Sequence, residues 1–283
     1  MDKNTSFLLN GAGWQIDLST PAVMGILNIT PDSFYDGGKY RNNETLLFQA
    51  EKMLNEGAAI LDIGAVSSRP GAEEVPEDTE LERLLPALEN LLSAFPDAVI
   101  SVDTYRSNVA RIAVEAGAHI INDISGGTFD EKMFRTVADL NVPYVLMHIK
   151  GTPQNMQNNP QYVDVVQEVK YFFKKQLRKL GNTGVTENII LDPGFGFGKT
   201  LENNYELLKD LSAFTDLGYP VLAGVSRKSM INKVLQATPD TALNGTTVLN
   251  TIALLNGAGI LRVHDVKEAV EAVRLVEFYG SAG

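Results

Sequence analysis

The 283-residue sequence contains no cysteine, which excludes a disulfide framework and any thiolate nucleophile. It has no run of about twenty apolar residues, so no membrane-spanning helix is expected. Its first residues, MDKNTSFLLN, show neither a long apolar stretch nor a small-residue cleavage site, so no export signal is expected and the cytoplasm is the expected compartment. Positive charge is scarce: 24 Lys and Arg against 35 Asp and Glu leave a net charge of −11. That sign makes nucleic acid and anionic membranes poor partners, and an anionic ligand must meet positive charge that is concentrated locally. Two phosphate-binding signatures are missing as well. The stretch DPGFGFGKT, residues 192–200, carries Gly198-Lys199-Thr200 but has Pro193 where a P-loop needs its first glycine. Gly194, Gly196 and Gly198 are spaced two apart, which is not the dinucleotide spacing Gly-x-Gly-x-x-Gly. No linker or low-complexity tract divides the chain, so one domain spanning 1–283 is expected.

What is present is an alternation. The chain is 44% hydrophobic and 21% charged, as suits a globular protein with a substantial core. Short apolar runs at 22–29, 58–64, 98–103, 118–123, 143–148, 188–192, 220–225 and 259–264 read as strands. Between them lie longer patterns such as ETLLFQAEKMLNEG, DTELERLLPALENLLSAF, SNVARIAVEAG and NYELLKDLSAF, whose apolar residues recur at three and four, as in helices. Gly57, Gly117 and Gly218 stand where helix C-caps belong. Continuously apolar strands are buried on both faces, as in parallel sheets. Eight such βα units predict an α/β fold, a (β/α)8 TIM barrel. The residues before 22 form a short N-terminal extension, in which FLLNGAGWQIDL is expected to make a hairpin across the barrel floor.

Each predicted strand ends in polar residues. These are Asn28, Asp62, Asp103, Asn122 with Asp123, His148, Asp192, Ser226-Arg227-Lys228 after the seventh, and Arg262 with His264. In a barrel such positions gather at the C-terminal mouth, where active sites lie. Any one of them can instead cap a helix or turn the chain; Asp62 is assigned that local role here, and Asp103, which opens a helical pattern, is open to it. DPGFGFGKT then reads as a strand end and its following loop. Asp192 is expected to point into the mouth and Pro193 to stop the strand. The glycines let the backbone turn closely beside a ligand, and the phenylalanines are candidates to wall the pocket.

Seven blocks carry a resemblance: GILNITPDSFYDGG (25–38), SSRPGAEEV (67–75), IINDISGG (120–127), LMHIKGTPQNMQ (146–157), DPGFGFGKTLENNYELL (192–208), GVSRKSMI (224–231) and RVHDV (262–266). In this order they resemble the dihydropteroate synthases of folate biosynthesis, from about residue 22 to the C-terminus. The resemblance implies that 6-hydroxymethyl-7,8-dihydropterin diphosphate loses pyrophosphate and joins 4-aminobenzoate, giving 7,8-dihydropteroate. It implies Mg²⁺ as cofactor and a homodimer.

Residue by residue, the resemblance implies that Asp192 accepts the donors of the pterin edge, with Asp103, Asn122, Lys228 and Arg262 completing that pocket. Arg69, Arg262 and His264 match diphosphate ligands, and Asn28 a residue that helps hold Mg²⁺. Phe34, Ser68, Pro70, Phe197, Lys228 and Ser229 match the walls of the 4-aminobenzoate site. The catalytic set is Asp36, Lys228, Arg262 and His264, with Asp36 suited to stabilising a pterin cation. Such a cation needs electrostatic stabilisation and no strong nucleophile, in keeping with the missing cysteine. Phe195 is assigned to the core.

The chain departs from the family at Val66-Ser67-Ser68-Arg69-Pro70-Gly71, where many relatives carry Glu-Ser-Thr-Arg-Pro-Gly. Three other readings stay open. A methyltetrahydrofolate-dependent methyltransferase shares the barrel and its pterin carboxylates but has no diphosphate to bind. A Schiff-base aldolase would use Lys228, with Arg227 as the cation that lowers its pKa. A catalytically silent pterin-binding barrel would keep Asp192 and Asn122 without needing Asp36 or Arg69.

Overall fold

The computed structural model describes residues 7–29, 38–68 and 70–282, with 38–42 described as backbone only. Phe34, Asp36 and Arg69 therefore lie outside the described residues. The expected hairpin is present: β1 (Leu8–Gly11) pairs antiparallel with β2 (Trp14–Asp17). The eight expected strands follow as β3 (Ala22–Asn28), β4 (Ile60–Gly64), β5 (Ile100–Asp103), β6 (Ile120–Asp123), β7 (Tyr144–Met147), β8 (Ile189–Asp192), β9 (Leu222–Ala223) and β10 (Ile260–Val263). All pair in parallel, in the order β8-β7-β6-β5-β4-β3-β10-β9. A bridge from Leu191 to Val221 joins the two ends of that order, so the sheet closes on itself. The seventh barrel strand is far shorter than the 220–225 expected; Pro220 before it has no N–H to give a ladder.

Helices lie between the strands: α1 (Gly38–Asn55), α2 (Glu77–Ala94), α3 (Ser107–Glu115), α4 (Met133–Leu140), α5 (Val165–Gly181), α6 (Leu201–Lys209), the short α7 (Ser212–Thr215), α8 (Ser229–Leu235), α9 (Leu243–Leu255) and α10 (Val266–Ser281). The expected caps Gly57, Gly117 and Gly218 all have positive φ, at 100°, 111° and 81°. No helix among the described residues is long and apolar enough to cross a membrane.

Alternation along the strands sorts the side chains into two cores. One phase, including Leu61, Ile63, Ile100, Val102, Ile121, Leu146, Ile189 and Leu191, faces outward against the helices. The other phase, Met24, Ile60, Val99, Ile120, Val145, Ile190, Leu222 and Ile260, fills the barrel interior at its lower end. Leu9 and Leu18 of the N-terminal extension are buried against that interior set, with Phe7, Trp14 and Ile16 packed beside them. The hairpin thus covers the floor. Two residues further along the inward phase, the apolar layer gives way to Asp62, Ser101, Asn122, Asp192 and Arg262, and at that level the site begins.

Candidate active site

Arg262 reaches across the barrel from β10 and ties two acidic strands together. Its Nε donates to Asp62 Oδ2 at 2.7 Å and its Nη2 to Asp103 Oδ2 at 2.9 Å. Asn122 Nδ2 donates to the same Asp62 oxygen at 3.0 Å. Asp62 is wholly buried and Asn122 nearly so. Charges at this depth are tolerated only when paired and hydrogen-bonded, and a guanidinium shared by two carboxylates meets that condition. Burial pushes the Asp103 carboxyl up to about 7; Arg262 opposes the rise, and the Asp62, Glu80 and Asp123 carboxylates add to it. Burial works against the Arg262 charge, but Asp62 and Asp103 outweigh it and hold the guanidinium above its ordinary range.

Asp62 is therefore not the local turn residue expected from the sequence. Its signal was its phase: it lies two residues after the inward-facing Ile60. Its Oδ1 and the Ser101 Oγ opposite it in the β4–β5 register have no hydrogen-bond partner among the described residues. Asp123, by contrast, is local. It accepts from the backbone N–H groups of Ser125 at 2.7 Å and Gly127 at 2.8 Å and from the Tyr144 hydroxyl at 2.7 Å. Asn28, at the end of β3, stands near Asp103. A side-chain carbon placed on Gly64 would lie 3.7 Å from Asn28 Oδ1 and 3.8 Å from Asp103 Oδ2.

The loop after β8 forms the opposite wall. Asp192 is buried, and its Oδ1 accepts from the Gly194 N–H at 2.7 Å. Burial raises its carboxyl, and the Lys228 charge is the main force holding it down. Gly194 and Gly198 have φ of 70° and 64°, and a Cβ on either would meet the carbonyl oxygen of His148 or Lys150 at 2.0 or 2.3 Å. The glycines let this loop lie directly on the backbone that follows β7. Gly194→Ala is expected to destabilise the protein by about 2 kcal/mol or more. Gly184→Ala, with positive φ but nothing within 4 Å, is expected to cost only about 1 kcal/mol. Equal urea midpoints for the two variants would show that the close approach relaxes freely.

The residues resembling a P-loop have other employment. Lys199 Nζ is buried among the loop's own acceptors, and the Thr200 hydroxyl caps α6 by accepting from the Asn203 N–H at 3.2 Å. Phe195 is fully buried, as expected for a core residue. Phe197 joins Ile124, Met147, Ile149 and Met156 in a separate apolar cluster. Lys228 Nζ donates to the Phe195 carbonyl at 2.5 Å and lies 4.8 Å from the Phe197 ring centre. Burial lowers the Lys228 ammonium to about 8, against the pull of Asp192. Ser229 is the exposed first residue of α8.

The remaining expected residues occupy the rim. His264 is exposed, with Nδ1 3.0 Å from Ser226 Oγ. Arg227 is not the cation beside Lys228: it pairs with Asp265 through Nε at 2.9 Å and Nη2 at 2.7 Å. Ser68 is half-buried and Pro70 exposed. Ser68 shares a small cavity with Val66, Glu73, Glu74, Glu80, Asp103 and Ile124, and Ile124 also belongs to the Phe197 cluster. A glutamate at position 66 would face four acids, which gives a physical reason for the apolar residue there.

The sequence model of the family described as Pterin binding enzyme matches residues 24–264. The dihydropteroate synthase of Escherichia coli (strain K12) is 46% identical over 266 residues, 94% of each chain. The chain belongs to the dihydropteroate synthases. The Yersinia pestis dihydropteroate synthase, solved as a sulfonamide drug complex, superposes with a TM-score of 0.92 at 44% identity, covering 98% of this chain and all of that one. The Xanthomonas albilineans dihydropteroate synthase with 4-aminobenzoic acid gives 0.92 at 40% identity, covering 99% and 100%.

As a dihydropteroate synthase this chain is a transferase, and the methyltransferase and silent-barrel readings are not favoured. The barrel brings Asp62, Asp103, Asn122 and Arg262 into one hydrogen-bonded group. Asp192, Lys228 and Phe197 form the facing wall, with Asn28, Ser68, Ser229 and His264 around them.

Proposed function

We propose that this dihydropteroate synthase condenses 6-hydroxymethyl-7,8-dihydropterin diphosphate with 4-aminobenzoate at the mouth formed by β5, β6, β8 and β10. The observation that carries the reading is the meeting of Asp192, Asp103 and Asn122, acceptors suited to a pterin edge, with two half-buried cations, Arg262 and Lys228. Pyrophosphate leaves with the electrons of the carbon–oxygen bond, and the dihydropterin ring shares the positive charge left on its methylene carbon. The amine lone pair then forms the carbon–nitrogen bond, and the nitrogen releases a proton. Carboxylates around the ring stabilise that charge without attacking it. A coupled assay for pyrophosphate release, with and without 4-aminobenzoate, tests this; no release from the pterin diphosphate would overturn it.

Arg262 would meet the diphosphate with its charge and His264 with a ring N–H, together with Arg69, which lies outside the described residues. The N-terminus of α10 opens immediately after them and adds backbone N–H groups to the same anion. Phe197, Ser68, Pro70 and Ser229 would wall the benzoate ring, with Phe34, outside the described residues, assigned to the same wall by resemblance; the Xanthomonas albilineans relative was solved with 4-aminobenzoic acid. Mg²⁺ would be held through Asn28 Oδ1, a neutral hard-oxygen donor beside a carboxylate. Among the described residues no three His, Asp or Glu side chains form a cage, so substrate phosphates and water would complete the ion's shell and its charge would offset theirs.

Asp36 acts on the chemical step if it stabilises a cation that exists only once pyrophosphate departs. Asp36→Asn keeps the shape and turn propensity and is expected to lower turnover by about 10²-fold, with ground-state binding of the pterin diphosphate unchanged. Single-turnover pyrophosphate release at wild-type speed would remove Asp36 from the mechanism.

The protein associates as a homodimer in this reading. Leu275, Phe278 and Tyr279 on α10 are all more than 70% exposed, and Val248, Ile252 and Leu255 on the adjacent α9 are also open. An apolar surface of that kind calls for a partner. Phe278→Glu is expected to shift sedimentation from dimer to monomer while pyrophosphate release persists. A monomeric wild-type protein would refute the assignment.

A further inference from the structure

We propose that Lys199 is a positioning residue for pterin recognition, setting the loop that carries Asp192 and Phe197 and supplying the cation behind Asp192. The proposal rests on the functional reading above. Lys199 Nζ lies 2.8 Å from the Gly194 carbonyl, 3.0 Å from the Phe197 carbonyl, 3.3 Å from the His148 carbonyl and 3.0 Å from His148 Nδ1. It is almost wholly buried, so it cannot contact a phosphate as a P-loop lysine does.

The three carbonyls around Nζ are matched one each by the three protons of an ammonium, where an amine has only two. Burial pushes the Lys199 ammonium well below its ordinary range, Lys228 and Lys150 add to the fall, and Asp192 opposes it; the carbonyls at hydrogen-bond distance favour the ammonium form. Its own burial and Lys199 hold the His148 ring toward the neutral form, and in the tautomer protonated on Nε2 its Nδ1 accepts from Lys199 Nζ.

The consequence for the ligand runs through Gly194. Its carbonyl is held by Lys199, and its N–H is held by Asp192 Oδ1. Fixing that residue from both sides occupies one Asp192 oxygen and leaves the other for a ligand donor. The Phe197 carbonyl, held by the same ammonium, sets the ring that faces Lys228. If Lys199 were removed, the Gly194 and Phe197 carbonyls would lose a charged donor in a site closed to water.

Charge and geometry can be separated. The cations facing Asp192 are Lys228 at the start of α8, Arg262 on β10 and Lys199 in its own loop. Lys199→Gln keeps amide donors for the carbonyls but loses the charge; Lys199→Met loses both. The experiment is calorimetric titration of 6-hydroxymethyl-7,8-dihydropterin across pH, with KM for 4-aminobenzoate measured alongside.

Binding needs ionised Asp192, so affinity falls as pH drops through its pKa. Without the Lys199 charge that pKa rises, and the fall is expected at higher pH in both variants. A space-filling role would not move this limb. Lys199→Met is expected to bind the pterin about 10-fold more weakly at neutral pH and to raise KM for 4-aminobenzoate, whereas Lys199→Gln keeps that KM near wild type. If Lys199→Met does not unfold cooperatively, the limb in Lys199→Gln decides. Wild-type affinity and an unmoved limb in folded Lys199→Gln would overturn the proposal alone. A wild-type protein that binds no pterin would overturn the functional reading and this proposal with it.

Discussion

Asp192→Asn is expected to bind the pterin roughly 100-fold more weakly, a loss of about 3 kcal/mol, with the fold intact. The structure makes this sharper than a loss of charge. One Asp192 oxygen already accepts the Gly194 N–H at 2.7 Å. An asparagine must keep its single oxygen there, because the alternative sets its amide N–H against another N–H. Its NH₂ group then faces the ligand where the carboxylate had an acceptor. The pterin edge offers donors, so donors meet donors, and a site built to accept them discriminates strongly against such a mismatch. Calorimetry showing unchanged pterin affinity, with unchanged circular dichroism, would remove Asp192 from the pocket.

Arg262→Ala is expected to cost stability as well as binding. The guanidinium joins the buried Asp62 and the half-buried Asp103 carboxylates; removing one partner of a fully buried charge pair typically costs about 3–5 kcal/mol, and the partial exposure of Arg262 places the loss at or below the lower end of that range. The loss depends on pH in a defined direction. Burial already pushes the Asp103 carboxyl up to about 7, and Arg262 is the main influence holding it down. In the variant the Asp103 carboxyl rises further above its unfolded value. A group whose folded pKa is raised contributes stability at low pH that is lost as pH rises through that pKa. The variant should therefore be closer to wild type at pH 5 than at pH 8, by urea unfolding at both. A loss independent of pH would show that Asp103 stays ionised throughout. If Arg262 mainly holds the leaving group, the pterin diphosphate loses more affinity than the unesterified hydroxymethyl pterin; equal losses point to contact with the ring.

The eight strands were legible because each is a short apolar run closed by a polar residue, and because glycines at 57, 117 and 218 punctuate the helices. Asp62 was misread because a single aspartate before Ile-Gly looks like a turn. Its partner stands 200 positions away, beyond any local pattern. Arg227 and Lys228 were adjacent candidates for one chemistry. The left-handed φ of 55° at Arg227 accompanies its turn toward Asp265, so that of the two only Lys228 acts on Asp192. Lys199 resembled a phosphate ligand because its neighbours Gly198 and Thr200 match that motif, yet burial places its ammonium on its own loop.

By itself the sequence determined the secondary structure, the closed parallel barrel and the family, since these follow from periodicity and from motif blocks that are contiguous along the chain. The tertiary structure alone decided which strand-end groups pair with one another and which face the ligand. Alternation assigns a side chain to the inside of a barrel, but hydrogen bonds form over about 3 Å, and that distance is set only when strands far apart in the chain are brought together around the closed sheet. The same closure brings three separate acids, Asp62, Asp103 and Asp192, together with Arg262 and Lys228, where neighbouring charges shift the protonation of Asp103, Asp192 and Lys228.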